Sequence, residues 1–149
     1  MNKFLLAVHV LAAIVAIGPV TVAASMFPPA ARLALAAPDD ARAVETVRLL
    51  HRICRVYAVV GVVVPVFGFA TASSMGVLGD GWLIASIVLT VLAAIVLAVL
   101  VLPRQEALAE GGGTREATVR LAMFTGVFNL LWAAVTVLMI IRPGSTTGV

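Results

Sequence analysis

The sequence predicts an all-α membrane protein: a polytopic bundle of four transmembrane helices with both termini outside. Three observations carry that expectation. The 149-residue chain is 62% hydrophobic and 11% charged, whereas soluble domains are roughly 45–50% apolar and about 25% charged. A soluble fold of this size would still expose roughly 30% of its unfolded-chain surface, too much for so apolar a chain. Four apolar runs each approach the roughly 20 residues that a spanning helix needs. The basic residues gather between those runs, on one side.

The first run, about Phe4–Phe27, reads "FLLAVHVLAAIVAIGP" at its start, with a single histidine, His9. Gly18-Pro19 is expected to kink it near its inner end. Lys3, the apolar run and "TVAAS" (Thr21–Ser25) also resemble a secretory signal peptide. Cleavage there would place the arginine-rich first connection outside, against the charge bias. "PPAARLALAAP", Pro28 to Pro38, reads as a short interfacial segment. The second span, about Val56–Met75, is expected to extend into the cytoplasm from about residue 40. Asp39 and Asp40 suit a helix start, and Val44, Val47, Leu50 and Cys54 follow at helical spacing. Gly61, Pro65 and Gly68 in this span are small or kinking residues that permit close helix approach.

The turn "GVLGDG", Gly76 to Gly81, leads to the third span, about Trp82–Leu102. "EGGGT", Glu110 to Thr114, is the flexible point before the fourth, about Leu121–Ile141. "TVRL" occurs at Thr46–Leu49 and again at Thr118–Leu121, and Pro28 and Pro103 are expected to close the spans before them. This faint repeat suggests two related helical hairpins. Trp82 reads as an interface anchor and Trp132 as a bundle or lipid contact.

Arg32, Arg42, Arg48, Arg52, Arg55, Arg104, Arg115 and Arg120 flank the first and third connections, while the other side holds only Lys3 and Arg142. The positive-inside rule then puts both long connections in the cytoplasm of a multi-pass inner (plasma) membrane protein. The net charge of +3 serves topology and anionic headgroups rather than nucleic acid, since no basic domain or tail stands apart from the spans. One cysteine, Cys54, excludes an intrachain disulfide framework and a multi-cysteine metal cluster; no metal site is expected.

With that orientation His9 lies roughly 9 Å into the outer half of the bilayer. An ionisable side chain there faces the bundle interior and is a functional hypothesis by default. Thr71, Ser73, Ser86 and Thr136 are at similar depth and could line a small polar pocket with it. Serine and threonine also commonly bond their own helix, so His9 equally suits a structural interhelical hydrogen bond. His51 lies almost a bilayer away and cannot share a ligand with His9. It belongs instead with Arg48, Arg52 and Arg55 in a basic patch for lipid phosphate or a partner. A haem at His9 would need Met75, Met139, an open position or a second protomer as its other axial side. Asn129, near mid-membrane, is expected to bond across helices, with a ligand contact as the alternative.

No paired carboxylates, Ser/His/Asp set at one depth, phosphate loop or dinucleotide fingerprint occurs. All seven acidic residues lie outside the apolar spans, against a cation or proton path, which usually carries intramembrane carboxylates.

"KFLLAVHVLAAIVAIGPVTVAAS", "RVYAVVGVVVPVFGFATA", "GVLGDGWLIASIVLTVLAA" and "FNLLWAAVTVLMIIRPGSTTGV" resemble the domain of unknown function 2269 family of bacterial four-helix membrane proteins, over essentially the whole chain. A more distant similarity is to the copper-resistance D and HemJ-type families. Their early histidine is matched here by His9, and their late arginine and asparagine loosely by Arg120 and Asn129. The resemblance implies b-type haem and redox chemistry on a porphyrin precursor, although the spans lack the lysine associated with HemJ-type activity. Two functions follow as expectations. One is a protein binding haem b or another small lipophilic ligand through His9, with Met75, Met139, Thr136 and Asn129 as weaker contacts. The other is a non-catalytic accessory or scaffold subunit, with a homo-oligomer or another membrane protein as partner.

Overall fold

The computed structural model describes residues 2–144, and among them every regular element is helical. Four continuous helical stretches are long and apolar enough to cross a membrane: Asn2–Ala36, Ala41–Met75, Gly81–Ala109 and Arg115–Ile141. The first is one helix, α1 (Asn2–Ala36). The second is divided into α2 (Ala41–Val60) and α3 (Val63–Met75). The third runs through α4 (Gly81–Ile95), a π-helical segment (Val96–Val101) and α5 (Leu102–Ala109). The fourth is α6 (Arg115–Ile141).

Prolines shape these stretches without ending them. Pro65 has no N–H to give the carbonyl of Gly61, four residues before it, and its ring crowds that carbonyl. The chain breaks there: Val64 N–H turns to Gly61 O at 3.1 Å, closing the tighter turn between α2 and α3. Pro103 likewise cannot donate to Val99, and the preceding turn widens, with Leu102 N–H reaching Leu97 O five residues back. Arg104 folds its guanidinium onto the carbonyl of Leu100 at 3.0 Å. The interfacial segment expected from Pro28 to Pro38 is instead, as far as Ala36, the last part of α1, which carries Pro19, Pro28 and Pro29 inside it. Burial of Phe27, Pro28 and Ala31 against the neighbouring helices holds that end together.

Two helices begin with side-chain caps. Asp40 precedes α2 and accepts from Arg42 N at 3.0 Å and Ala43 N at 3.4 Å. Thr114 precedes α6 and accepts from Ala117 N at 3.3 Å. These bonds satisfy donors that the first turn cannot pair internally.

The two sequence copies of "TVRL" do not occupy equivalent positions. Val47 and Leu121 are buried, but their counterparts Val119 and Leu49 are 56% and 53% exposed.

α1 packs on α2 and α3, α6 packs on α1 and on α4, and α2 meets α5. The main core lies toward the arginine-rich end, around Val20, Phe27, Cys54, Val101, Leu121 and Phe128. Both described chain ends gather at the other end with the Gly76–Gly81 turn: Asn2 accepts from Ser74 Oγ, and Arg142 lies over the Trp82 ring at 5.4 Å. A smaller cluster of Ala72, Val77, Trp82 and Leu83 joins the two hairpins there. Between the two clusters α1 is thinly covered, and no residue from Phe4 to Val15 is buried.

Candidate functional site

His9 sits where α1 crosses α3. Its Nδ1 lies 2.9 Å from the carbonyl oxygen of Val64. A carbonyl only accepts, so Nδ1 carries a proton; in the neutral tautomer with that proton, Nε2 is the acceptor. The seat for the ring is Gly68, one turn beyond Val64. A Cβ there would fall 2.7 Å from His9 Cε1 and 3.1 Å from Nδ1, closer than packed atoms come. Glycine is thus what lets the imidazole, Cε1 foremost, pack against α3 at this position. The ring is half-buried, and Nε2 has no protein partner among the described residues.

The hydroxyls expected near His9 are engaged with their own helices. Thr71 donates to Phe67 O (2.7 Å), Ser86 to Trp82 O (2.8 Å) and Thr136 to Trp132 O (3.0 Å). Each bond reaches the carbonyl four residues back, an arrangement common for hydroxyls in apolar helices. Met75 and Met139 pack against the Ala72–Trp82 cluster. Met75 is seven residues from Gly68 toward the Gly76–Gly81 turn on the same helix, about 10 Å at helical rise. Both methionines thus belong to that cluster, while the His9 contact itself is made with the backbone of Val64 and the Gly68 notch.

Trp82, expected at the membrane interface, is buried at 7% exposure. Its indole N–H reaches Asp80 Oδ2 at 3.0 Å.

Asn129 bonds across helices, Nδ2 donating to Ser25 Oγ at 3.2 Å, while its buried Oδ1 has no protein partner. The same α1–α6 seam carries Arg32 Nε donating to Thr118 Oγ1 at 3.3 Å. Thr125, between these two pairs on α6, is buried with its hydroxyl unpartnered.

The expected basic patch separates into different roles. Arg48 pairs with Glu45 at 3.1 Å, the one ion pair among the described residues. His51 turns inward, its Nδ1 3.1 Å from Gln105 Oε1. Its position between Leu50 and Cys54, on the buried side of α2, explains why it meets α5 rather than headgroups. Gln105 is fully buried, and its amide N–H points at Cys54 Sγ at 3.5 Å. Arg52 and Arg55 stay exposed.

Gln105, Ser25, the Val64 carbonyl and Thr118 were not singled out in the sequence as site partners. Gln105 had a readable signal: it is the chain's one glutamine and falls on the Val101–Leu108 face if the helix runs on past Pro103. Among the described residues no three His, Cys, Asp or Glu side chains converge as a metal site would require. Compared with protein-family models, curated proteins and solved structures, the chain matches none.

Proposed function

We propose that this is a multi-pass membrane protein that binds a small lipophilic ligand in the outer half of its bundle, with His9 as the polar contact. The observation that carries this reading is the Nδ1–H···O=C bond to Val64. It fixes the ring's tautomer and orientation and leaves the Nε2 lone pair unpartnered on a half-buried ring. Histidines that serve as ligands are commonly held by the same kind of bond from their other nitrogen. The thin cover over Phe4–Val15 gives access from the lipid side. The ligand chemistry that suits a neutral imidazole acceptor is a hydroxyl donor on an apolar body, or one axial position of an iron porphyrin. The distant similarity to histidine-bearing HemJ-type proteins agrees with this reading, but no family match supports it.

The arginine-rich end supports an orientation with both connections in the cytoplasm, both termini outside, and the plasma membrane as the site. The second reading, an accessory or scaffold subunit, draws on the same unburied stretch of α1 as a surface for another membrane protein.

The test is to purify the protein in mild detergent, record its absorption spectrum, and extract bound lipophiles for mass spectrometry, alongside His9→Ala. A Soret band or one enriched lipophile in the wild type, lost from a helical His9→Ala protein, is expected. Identical content in the two proteins would overturn the ligand reading and leave His9 as a bond between helices.

A further inference from the structure

At the arginine-rich end, a cleft of about 210 Å³ opens between the start of α5 and the first turns of α6, lined by Arg104, Thr114, Glu116, Ala117 and Arg120. Liquid water occupies about 30 Å³ per molecule, so the space admits a phosphate ester rather than a single water. We propose that this cleft binds the phosphodiester of an anionic membrane phospholipid. The proposal rests on the membrane-spanning architecture and is independent of His9.

Three features favour that occupant. Neither arginine is paired with a carboxylate among the described residues, where the one ion pair is Arg48–Glu45. With Glu116 counted against them, the cleft keeps a net positive charge that suits a singly charged phosphodiester. Arg104 is also held at the right depth. Its guanidinium lies 4.6 Å from the Phe124 ring centroid and donates to Leu100 O, so the charge is fixed where the apolar span ends. Planar guanidinium groups bind phosphate oxygens through paired N–H donors. Finally, an apolar wall continues from the cleft into the membrane. Phe124 and Val127 follow Arg120 at four and seven residues on one side of α6, half-buried and exposed respectively. Leu100 precedes Arg104 by four and is half-buried. Acyl chains can lie along this wall while the headgroup phosphate meets the two arginines. A free phosphate ion would gain nothing from it.

The experiment uses the full chain in a neutral detergent, titrated with phosphatidylglycerol, with phosphatidylcholine, or with inorganic phosphate. Retained lipid is read by native mass spectrometry and stability by the thermal midpoint. Phosphatidylglycerol is expected to bind and raise the midpoint, while the other two leave it unchanged. Arg120→Gln should weaken phosphatidylglycerol binding about five-fold, the contribution of one basic residue near an anionic surface. Among the described residues the Arg120 side chain makes no ion pair and no hydrogen bond, so this variant keeps the fold even if Arg104→Gln does not. Arg42→Gln, outside the cleft, should bind as the wild type does. Equal weakening by Arg42→Gln and Arg120→Gln would reduce the effect to general surface charge and overturn the site. An equal response to inorganic phosphate would overturn the lipid assignment.

Discussion

Gly68→Ala tests the His9 seat most directly, and its expected effect depends on whether His9 is present. The added Cβ would lie 2.7 Å from His9 Cε1, so the ring must swing away and give up its bond to Val64 O. Interhelical hydrogen bonds within membranes average about 0.6 kcal/mol, with a maximum of about 1.7. A ring pushed off its rotamer costs about 0.5–1.5 kcal/mol more. Against these, alanine in a helix is favoured over glycine by about 0.8–1.0 kcal/mol. The net change in the wild type is therefore a loss of about 0–2 kcal/mol, given the spread of those contributions. In a His9→Ala background nothing occupies the notch, and the same substitution should stabilise by about 0.8–1.0 kcal/mol. The coupling between positions 9 and 68 is thus about 1–3 kcal/mol, well above the roughly 0.3–0.5 within which independent sites add. Equilibrium unfolding of the four proteins in mixed micelles measures it. Additivity within that margin would refute the contact on which the ligand reading depends.

A cysteine introduced at Gly79, where a Cβ meets nothing within 4 Å, should react with an impermeant maleimide on intact cells, while buried native Cys54 should not. Labelling that requires permeabilised cells would reverse the proposed orientation. Gln105→Ala should lower stability by about 2–4 kcal/mol, because it opens a cavity and strips His51 of its partner. Gln105→Leu combined with His51→Phe should recover most of that loss, since both polar groups then leave together. Thermal unfolding in detergent distinguishes these outcomes, and a double variant no better than Gln105→Ala would argue against the pair.

The four long helices were legible because run length and hydropathy are local properties of the chain. Their internal shape was less so. Pro28 and Pro103 look like helix ends to a reading that considers one segment at a time, yet both lie inside helices. Around Pro103 the helix accommodates the missing donor by a register change in the π segment, an adjustment that neighbouring structure makes tolerable. The candidate site divides in the same way. His9 is conspicuous as an ionisable residue in an apolar run. Its partner is a backbone carbonyl, which every residue has, and its seat is a glycine indistinguishable in sequence from Gly61. The partner of His51 was not legible for a related reason: three neighbouring arginines draw attention to a solvated patch, whereas its Nδ1 meets Gln105 on α5.

These polar contacts are few, and their placement explains how so apolar a bundle selects one arrangement. Lipid tails are as apolar as leucine, so valine and leucine faces alone scarcely prefer a helix over lipid. Here His9–Val64 joins α1 to α3, Ser25–Asn129 and Arg32–Thr118 join α1 to α6, and His51–Gln105 joins α2 to α5. The packing of α4 on α6, by contrast, carries no side-chain hydrogen bond among the described residues. Three of the four bonds lie toward the arginine-rich end, with the larger core. His9 is the exception, alone on the thinly covered part of α1. A histidine that fastens two helices can use one nitrogen alone, as His51 does toward Gln105 while its buried Nε2 has no protein partner among the described residues. What sets His9 apart is that its unpartnered Nε2 belongs to a half-buried ring on the thinly covered part of α1, and that is the physical basis for looking to it for a ligand.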